Sequence, residues 1–185
     1  MAKVQDNIVM QGLSGTLGNQ LVLKISKGRT IVSTKPTFSE NRTFSAAQLA
    51  QQQAFREATT YARAVQGDEV YIAKANDSPK SPYNVAVADW FNAPEVLGVD
   101  LSGWNGAAGE LVRVQARDDV KVKHVIVRFN DAEGTLLEEG SATDVGALWW
   151  EYTTKSNLTS AVTVTATAVD LPGNMSELSQ EKTIS

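Results

Sequence analysis

Ala161-Val-Thr-Val-Thr-Ala-Thr-Ala-Val-Asp170 is the stretch on which the fold turns. Val162, Val164, Ala166 and Ala168 fall on one side of a period-2 ribbon, and Thr163, Thr165 and Thr167 on the other. Such alternation marks a strand with one face on a core and one toward water. Asp170-Leu-Pro-Gly-Asn174 follows as a turn, because Pro presets φ and Gly or Asn tolerates positive φ. A second ribbon is expected through Leu178 to Ile184.

Working back from this hairpin, the same period recurs. Glu110 to Ala116 puts Val112, Val114 and Ala116 inward, and Val122 to Asn130 puts Val125, Val127 and Phe129 on one face. Asp131-Ala-Glu-Gly134 turns the chain into Thr135–Gly140, and Ala147–Tyr152 is the next ribbon. Leu148, Trp150 and Tyr152 are its apolar set, so Trp150 points to the core and Trp149 nearer the surface. About seven short strands at regular spacing argue a β-sandwich over residues 98–185. The Thr/Ala/Val strand that ends in Asp and a Gly-Asn turn resembles the last two strands of bacterial immunoglobulin-like domains. That resemblance implies a module without chemistry of its own.

The N-terminal half reads differently. Gly12-Leu-Ser-Gly15-Thr-Leu-Gly18 is glycine-rich, but no Gly-Lys-Ser/Thr follows and no helix opens after it. A phosphate cradle is therefore disfavoured, and the glycines are read as permitting tight turns or close backbone approach. Gln20–Ile25 and Arg29–Thr34 form a hairpin around Lys27-Gly28. Ser45 to Gln48 has the form of a capping box. Ala47, Ala50, Ala54, Ala58, Tyr61, Ala62 and Val65, joined by Phe55, then make the stripe of an amphipathic helix that ends at Gly67. A shorter helix is expected at 69–75. Ser81-Pro82 caps a third, apolar helix through Phe91, which should be buried.

Over residues 4–97 the chain resembles an uncharacterised bacterial family. The likeness rests on Gly12-Leu-Ser-Gly15, Thr30-Ile-Val-Ser-Thr-Lys-Pro36, the Gln-rich helix and Ser81-Pro-Tyr-Asn-Val-Ala86. It implies an architecture and lends no catalytic residues. The expectation is an α+β protein: a hairpin-and-helix domain at 1–97, then an immunoglobulin-like antiparallel sandwich at 98–185.

Composition narrows the function classes. The chain has 185 residues, 42% of them hydrophobic and 21% charged, as a globular protein does. It holds no cysteine and one histidine, His124, which excludes disulfides, thiolate metal sites and two-histidine sites. Residues 1–66 carry eight basic and three acidic side chains, hence +5; a total of −4 leaves −9 for the remainder. Opposed halves can attract between neighbouring subunits, or merely keep the protein solvated. Asp118-Asp119 with Asp131 and Glu133 offer carboxylates for Ca²⁺, though no EF-type loop accompanies them. Glu138 and Glu139 adjoin in a strand and point to opposite faces, so they cannot pair as an acid/base dyad. Lys24, Lys27 and Arg29 lack interleaved aromatics, which disfavours nucleic acid. If Met1 is the native start, the absence of an apolar signal core implies cytoplasmic synthesis, with release only as part of a particle or by lysis.

These observations lead to the expectation of a non-enzymatic structural protein without a cofactor. It would self-assemble, or decorate a phage-like or filamentous particle, through its N-terminal region. Gly12, Gly15, Gly18, Lys24, Lys27, Arg29 and Trp149 are its interface candidates. The partners expected are further copies or other particle subunits, not a membrane. The alternative is a carbohydrate-binding or adhesive module that uses Trp149 and the sandwich loops.

Overall fold

In the computed structural model, residues 2–3, 12–18, 20–26, 29–37 and 43–184 are described. The chain divides into two compact units, Met1–Gln48 and Leu49–Ser185. The first is a four-stranded antiparallel sheet of β1 (Ala2–Lys3), β2 (Gly15–Leu17), β3 (Leu21–Ser26) and β4 (Arg29–Thr34), in the order β1-β4-β3-β2. The expected hairpin is β3–β4, in register from Leu21↔Thr34 to Ser26↔Arg29. Its Lys27-Gly28 turn lies outside the described residues. Gly15 and Gly18, with φ of 126° and 58°, flank β2 in a conformation that L side chains rarely adopt. Among the described residues an added Cβ at either meets nothing within 4 Å, so it is the positive φ that calls for glycine there.

Helix α1 (Ala46–Val65) opens on the predicted capping box. Ser45 N donates to Gln48 Oε1 at 2.9 Å, and Gln48 N donates to Ser45 Oγ at 3.3 Å. The stripe drawn from sequence is buried only at Ala58 and Ala62, whereas Phe55 is 53% exposed. Helix α2 (Glu69–Asn76) follows. Helix α3 (Pro82–Phe91) starts as expected, with Ser81 Oγ accepting from Asn84 N and Pro82 in the first turn.

Seven strands complete the second unit: β5 (Glu95–Asp100), β6 (Leu111–Arg117), β7 (Val122–Asn130), β8 (Leu136–Gly146), β9 (Trp149–Thr153), β10 (Val162–Asp170) and β11 (Met175–Lys182). The inward residues are those the alternation selects. Val112, Val114, Ala116, Val125, Val127, Phe129, Val164, Ala166 and Ala168 have no exposed surface, and Trp150 and Tyr152 are buried with them. Trp104 fills the centre, its ring 5.0 Å from that of Phe129.

One expectation requires correction. The protein is mostly β rather than α+β, and its C-terminal strands are not two stacked sheets. They form one antiparallel sheet in the order β11-β10-β7-β8-β9-β6-β5. The cause is β8. Sequence ends this strand at Gly140, but it continues to Gly146; residues 136–142 pair with β7 and residues 143–146 with β9. A strand that bends from one face of the core to the other joins both faces into a single ladder. The curled sheet approaches closure, since β5 and β11 are neighbours. Lys182 Nζ laces the gap by donating to Leu101 O at 2.6 Å and to Trp104 O.

The helices lie with the strands in the second unit, and the boundary expected at 97/98 falls inside that unit. Ala62, Tyr71, Ala75, Val85 and Ala86 form a core that also takes in Val120 and Leu171 from the strand loops. The helical layer and the strands therefore share apolar burial.

Candidate functional site

Three acids meet where the helical layer reaches one end of the sheet. Asp89 sits near the C-terminus of α3, Asp118 follows β6, and Asp170 ends β10. A carboxylate oxygen from each lies within 4.8 Å of the other two. Asp89 and Asp170 are fully buried, and Asp118 is half-buried.

Each carboxylate is held in place. Tyr61 and Tyr71 share a hydrogen bond of 2.6 Å, and Tyr71 OH donates to Asp89 Oδ2 at 2.5 Å. Asp118 Oδ2 accepts from Val120 N and Lys121 N at 2.9 and 2.8 Å. Asp170 Oδ1 accepts from Gly173 N and Asn174 N, and its Oδ2 from Asn174 Nδ2 at 2.8 Å. The same Asn174 amide reaches three carbonyls at the end of α3, those of Asp89, Trp90 and Asn92, each at 3.3 Å. Helix C-termini carry partial negative charge, so carbonyl dipoles and carboxylates of one sign converge here.

Two oxygens are left over. Asp89 Oδ1 and Asp118 Oδ1 are buried without a hydrogen-bond partner. Among the described residues no ion pair reaches the cluster; the three present are Arg113–Glu151, Arg117–Glu95 and Arg128–Glu139. Burial lifts Asp89 to about 7, against the opposing Tyr71 hydrogen bond, and Asp118, Asp119 and Asp170 add to the rise. Burial, followed by the bonds to Asp89 and Tyr61, pushes the Tyr71 phenol far above its ordinary range. The charge of the cluster can be met by protons or by a cation. The ligand set is oxygen alone, the chemistry of hard ions.

Of the carboxylates singled out in sequence, only Asp118 belongs to this cluster. Asp119 Oδ2 accepts from Asn92 Nδ2 at 2.9 Å, while Asp131 closes the β7–β8 turn by accepting from Glu133 N and Thr135 N. Sequence reading missed Asp89 and took Asp170 as a turn residue. The available signal was a lone acid in an apolar helix that had to be buried, because a buried charge requires a partner.

Glu138 and Glu139 do face opposite ways. Glu138 is buried, and Glu139 pairs with Arg128 on the outside. Lys24 and Arg29 are exposed on the hairpin, Gly12 precedes β2 with φ of 78°, and Lys27 lies outside the described residues. Trp149 is half-buried at the start of β9, opposite Gln115 and Gly146. His124 is half-buried in β7 opposite Val169.

No family model matches the chain, so the resemblance of residues 4–97 to an uncharacterised family stands without one, and no curated protein matches the sequence. Several solved structures are similar in part. An engineered protein is 22% identical over 55% of this chain and 26% of its own, with a TM-score of 0.38. CopC from Methylosinus trichosporium is 16% identical over 49% of this chain and 91% of its own, also with a TM-score of 0.38. A tandem repeat from the extending region of a large adhesion protein is 23% identical over 51% and 24%, with a TM-score of 0.35. The chain thus spans about a quarter of the first and third. At this level of similarity none of them assigns a family or an activity. Among the described residues no helix is long and apolar enough to cross a membrane.

Proposed function

We propose that this chain is a non-enzymatic structural protein that assembles with further copies of itself through its first unit, as a filament or as part of a larger, phage-like particle. The observation that carries this reading is how little the first unit encloses. Among its described residues only Leu23 and Thr30 are buried, while Leu13, Leu17 and Ile25 stand 48%, 60% and 51% exposed. A unit of 48 residues whose described residues bury so little gains from cover, and oligomerisation is one common source. Among the described residues β2 is an edge strand exposed along its length, and such edges present backbone groups to a further strand. A second copy suits this surface, because the basic N-terminal part finds its opposite charge in the acidic remainder of the chain. The glycan reading has less support, since its aromatic, Trp149, is half-buried.

Size-exclusion chromatography with light scattering on the full chain tests the proposal. The wild type should elute as an oligomer, and Leu17→Arg with Ile25→Glu should yield monomer with an unchanged far-ultraviolet circular dichroism spectrum. A monomeric wild type at high concentration, or a double variant that assembles as the wild type does, refutes it.

A further inference from the structure

The leftover oxygens of the acid cluster need an explanation that the assembly reading does not supply. A buried acceptor without a donor is destabilising, and more so when it is charged. Here Asp89 Oδ1, on a side chain with no exposed surface, and Asp118 Oδ1 are both in that state. They lie beside a third carboxylate, with α3 directing the carbonyls of its last turn to the same place. Among the described residues no Lys or Arg ion pair balances the charge. The Asn174 amide has two protons for four oxygens, so it cannot satisfy them all.

We propose that Asp89, Asp118 and Asp170 form a calcium site that fastens helix α3 to the loops after β6 and β10. Oxygen-only ligation selects a hard cation over zinc or copper. Calcium takes oxygens at about 2.3–2.6 Å, so two ligands across one ion lie up to ~5 Å apart; three atoms within 4.8 Å can share it without backbone movement. Magnesium would hold opposed ligands at about 4.2 Å and demands near-ideal octahedral geometry, whereas calcium accepts the irregular geometry that three fixed side chains impose. The tyrosine relay fixes Asp89 Oδ2 and leaves Oδ1 for the ion; the Val120 and Lys121 amides do the same for Asp118. This is the outer-shell orientation that metal ligands require. A groove of about 590 Å³ lined by Phe91, Asn92, Asp118 and Asp119 borders the cluster on its Asp118 side.

The test uses the full chain, stripped with a chelator and titrated with CaCl₂ by calorimetry and thermal melting. One ion per chain should bind, and the melting temperature should rise by about 5 °C or more at saturation. MgCl₂ at the same concentration should do much less. Terbium should bind in place of calcium and luminesce on excitation of Trp90 and Tyr71, with calcium quenching the signal. Asp118→Asn should abolish the calcium shift while leaving the ion-free melting temperature unchanged or higher, because it removes like-charge repulsion. If that variant fails to fold, the terbium titration of the wild type decides. No heat and no shift at ~10 mM calcium, well above the weakest protein sites, would leave a proton-sharing acid cluster and overturn the proposal. So would an equal response to magnesium, or an undiminished calcium shift in Asp118→Asn.

Discussion

Glu138 should be the most costly acid to neutralise in the strand region. It is buried where β8 crosses the core, and three donors converge on its carboxylate: Tyr152 OH and Lys155 N at 2.7 Å on Oε1, and Ser156 N at 2.8 Å on Oε2. Burial acts to raise its pKa, but these hydrogen bonds outweigh it and hold the carboxyl below the usual value. Glu138→Gln keeps the shape and one carbonyl, but turns an NH₂ toward at least one of the donors. With hydrogen bonds to a charged group contributing about 1.5–3 kcal/mol, and one donor opposed, the loss should be about 2–3 kcal/mol at pH 7. The sign with pH follows from the depressed pKa. Stability from Glu138 is complete above its unfolded value of about 4.3 and is lost as pH falls through the lower folded value. Urea denaturation of wild type and variant from pH 7 down to pH 3 therefore yields two curves that converge below about pH 4. A gap that stays constant over this range, or no gap at pH 7, would mean that the charge of Glu138 does not matter.

Val164→Asp places an unpaired charge where no surface is exposed and should cost several kcal/mol, whereas Thr165→Asp, on the outer face beside Ser179, should cost about 1 kcal/mol or less; chemical denaturation of both separates the faces, and equal losses would show them wrongly assigned. Ala147 and Leu148 form the β8–β9 turn with φ of 51° and 70°, a conformation that costs non-glycine residues about 1–2 kcal/mol. Ala147→Asn with Leu148→Gly should accordingly raise stability by roughly 1 kcal/mol, and a lowered melting temperature would show that the turn is not under strain.

What could be read from the sequence follows the physics of each element. β6, β7 and β9 alternate because one face meets the core, and β10 does so as far as Ala166, so their inward residues were legible one by one, down to Trp150 rather than Trp149; from Thr167 to Asp170 β10 is buried on both faces, because the helical layer covers that end. The caps of α1 and α3 were legible because Ser45, Gln48 and Ser81 act on backbone groups three residues away. The second half of β8 was not. Ser141-Ala-Thr-Asp-Val-Gly146 buries only Ala142, and its strand form is set by β9 alongside it rather than by its own side chains. That one extension decides between a sandwich and a single curled sheet. The helix stripe failed for a related reason. Periodicity shows which residues share a face, while burial depends on what meets that face, and the first half of α1 remains exposed from Ala46 to Gln53.

The acid cluster shows how a local explanation can conceal a tertiary one. Asp170-Leu-Pro-Gly-Asn174 is accounted for by turn chemistry: Asp170 Oδ1 accepts from Gly173 N and Asn174 N, and the strands pair on either side. Nothing further is needed to justify those residue types. Yet Asn174 also reaches the carbonyls that end α3, and Asp170 holds the amide that does so. The turn is thereby the receiver for the helix as well as the closure of the hairpin. Asp89 arrives with that helix, and Val120 and Leu171 pack against the same helical core on either side of the acids. Three segments distant in sequence are thus brought together by apolar packing, and their carboxylates have to share what space remains. Apolar burial drives this docking, while the charge it encloses opposes it. The cation proposed for this junction would offset that opposition, because it places positive charge among the three carboxylates.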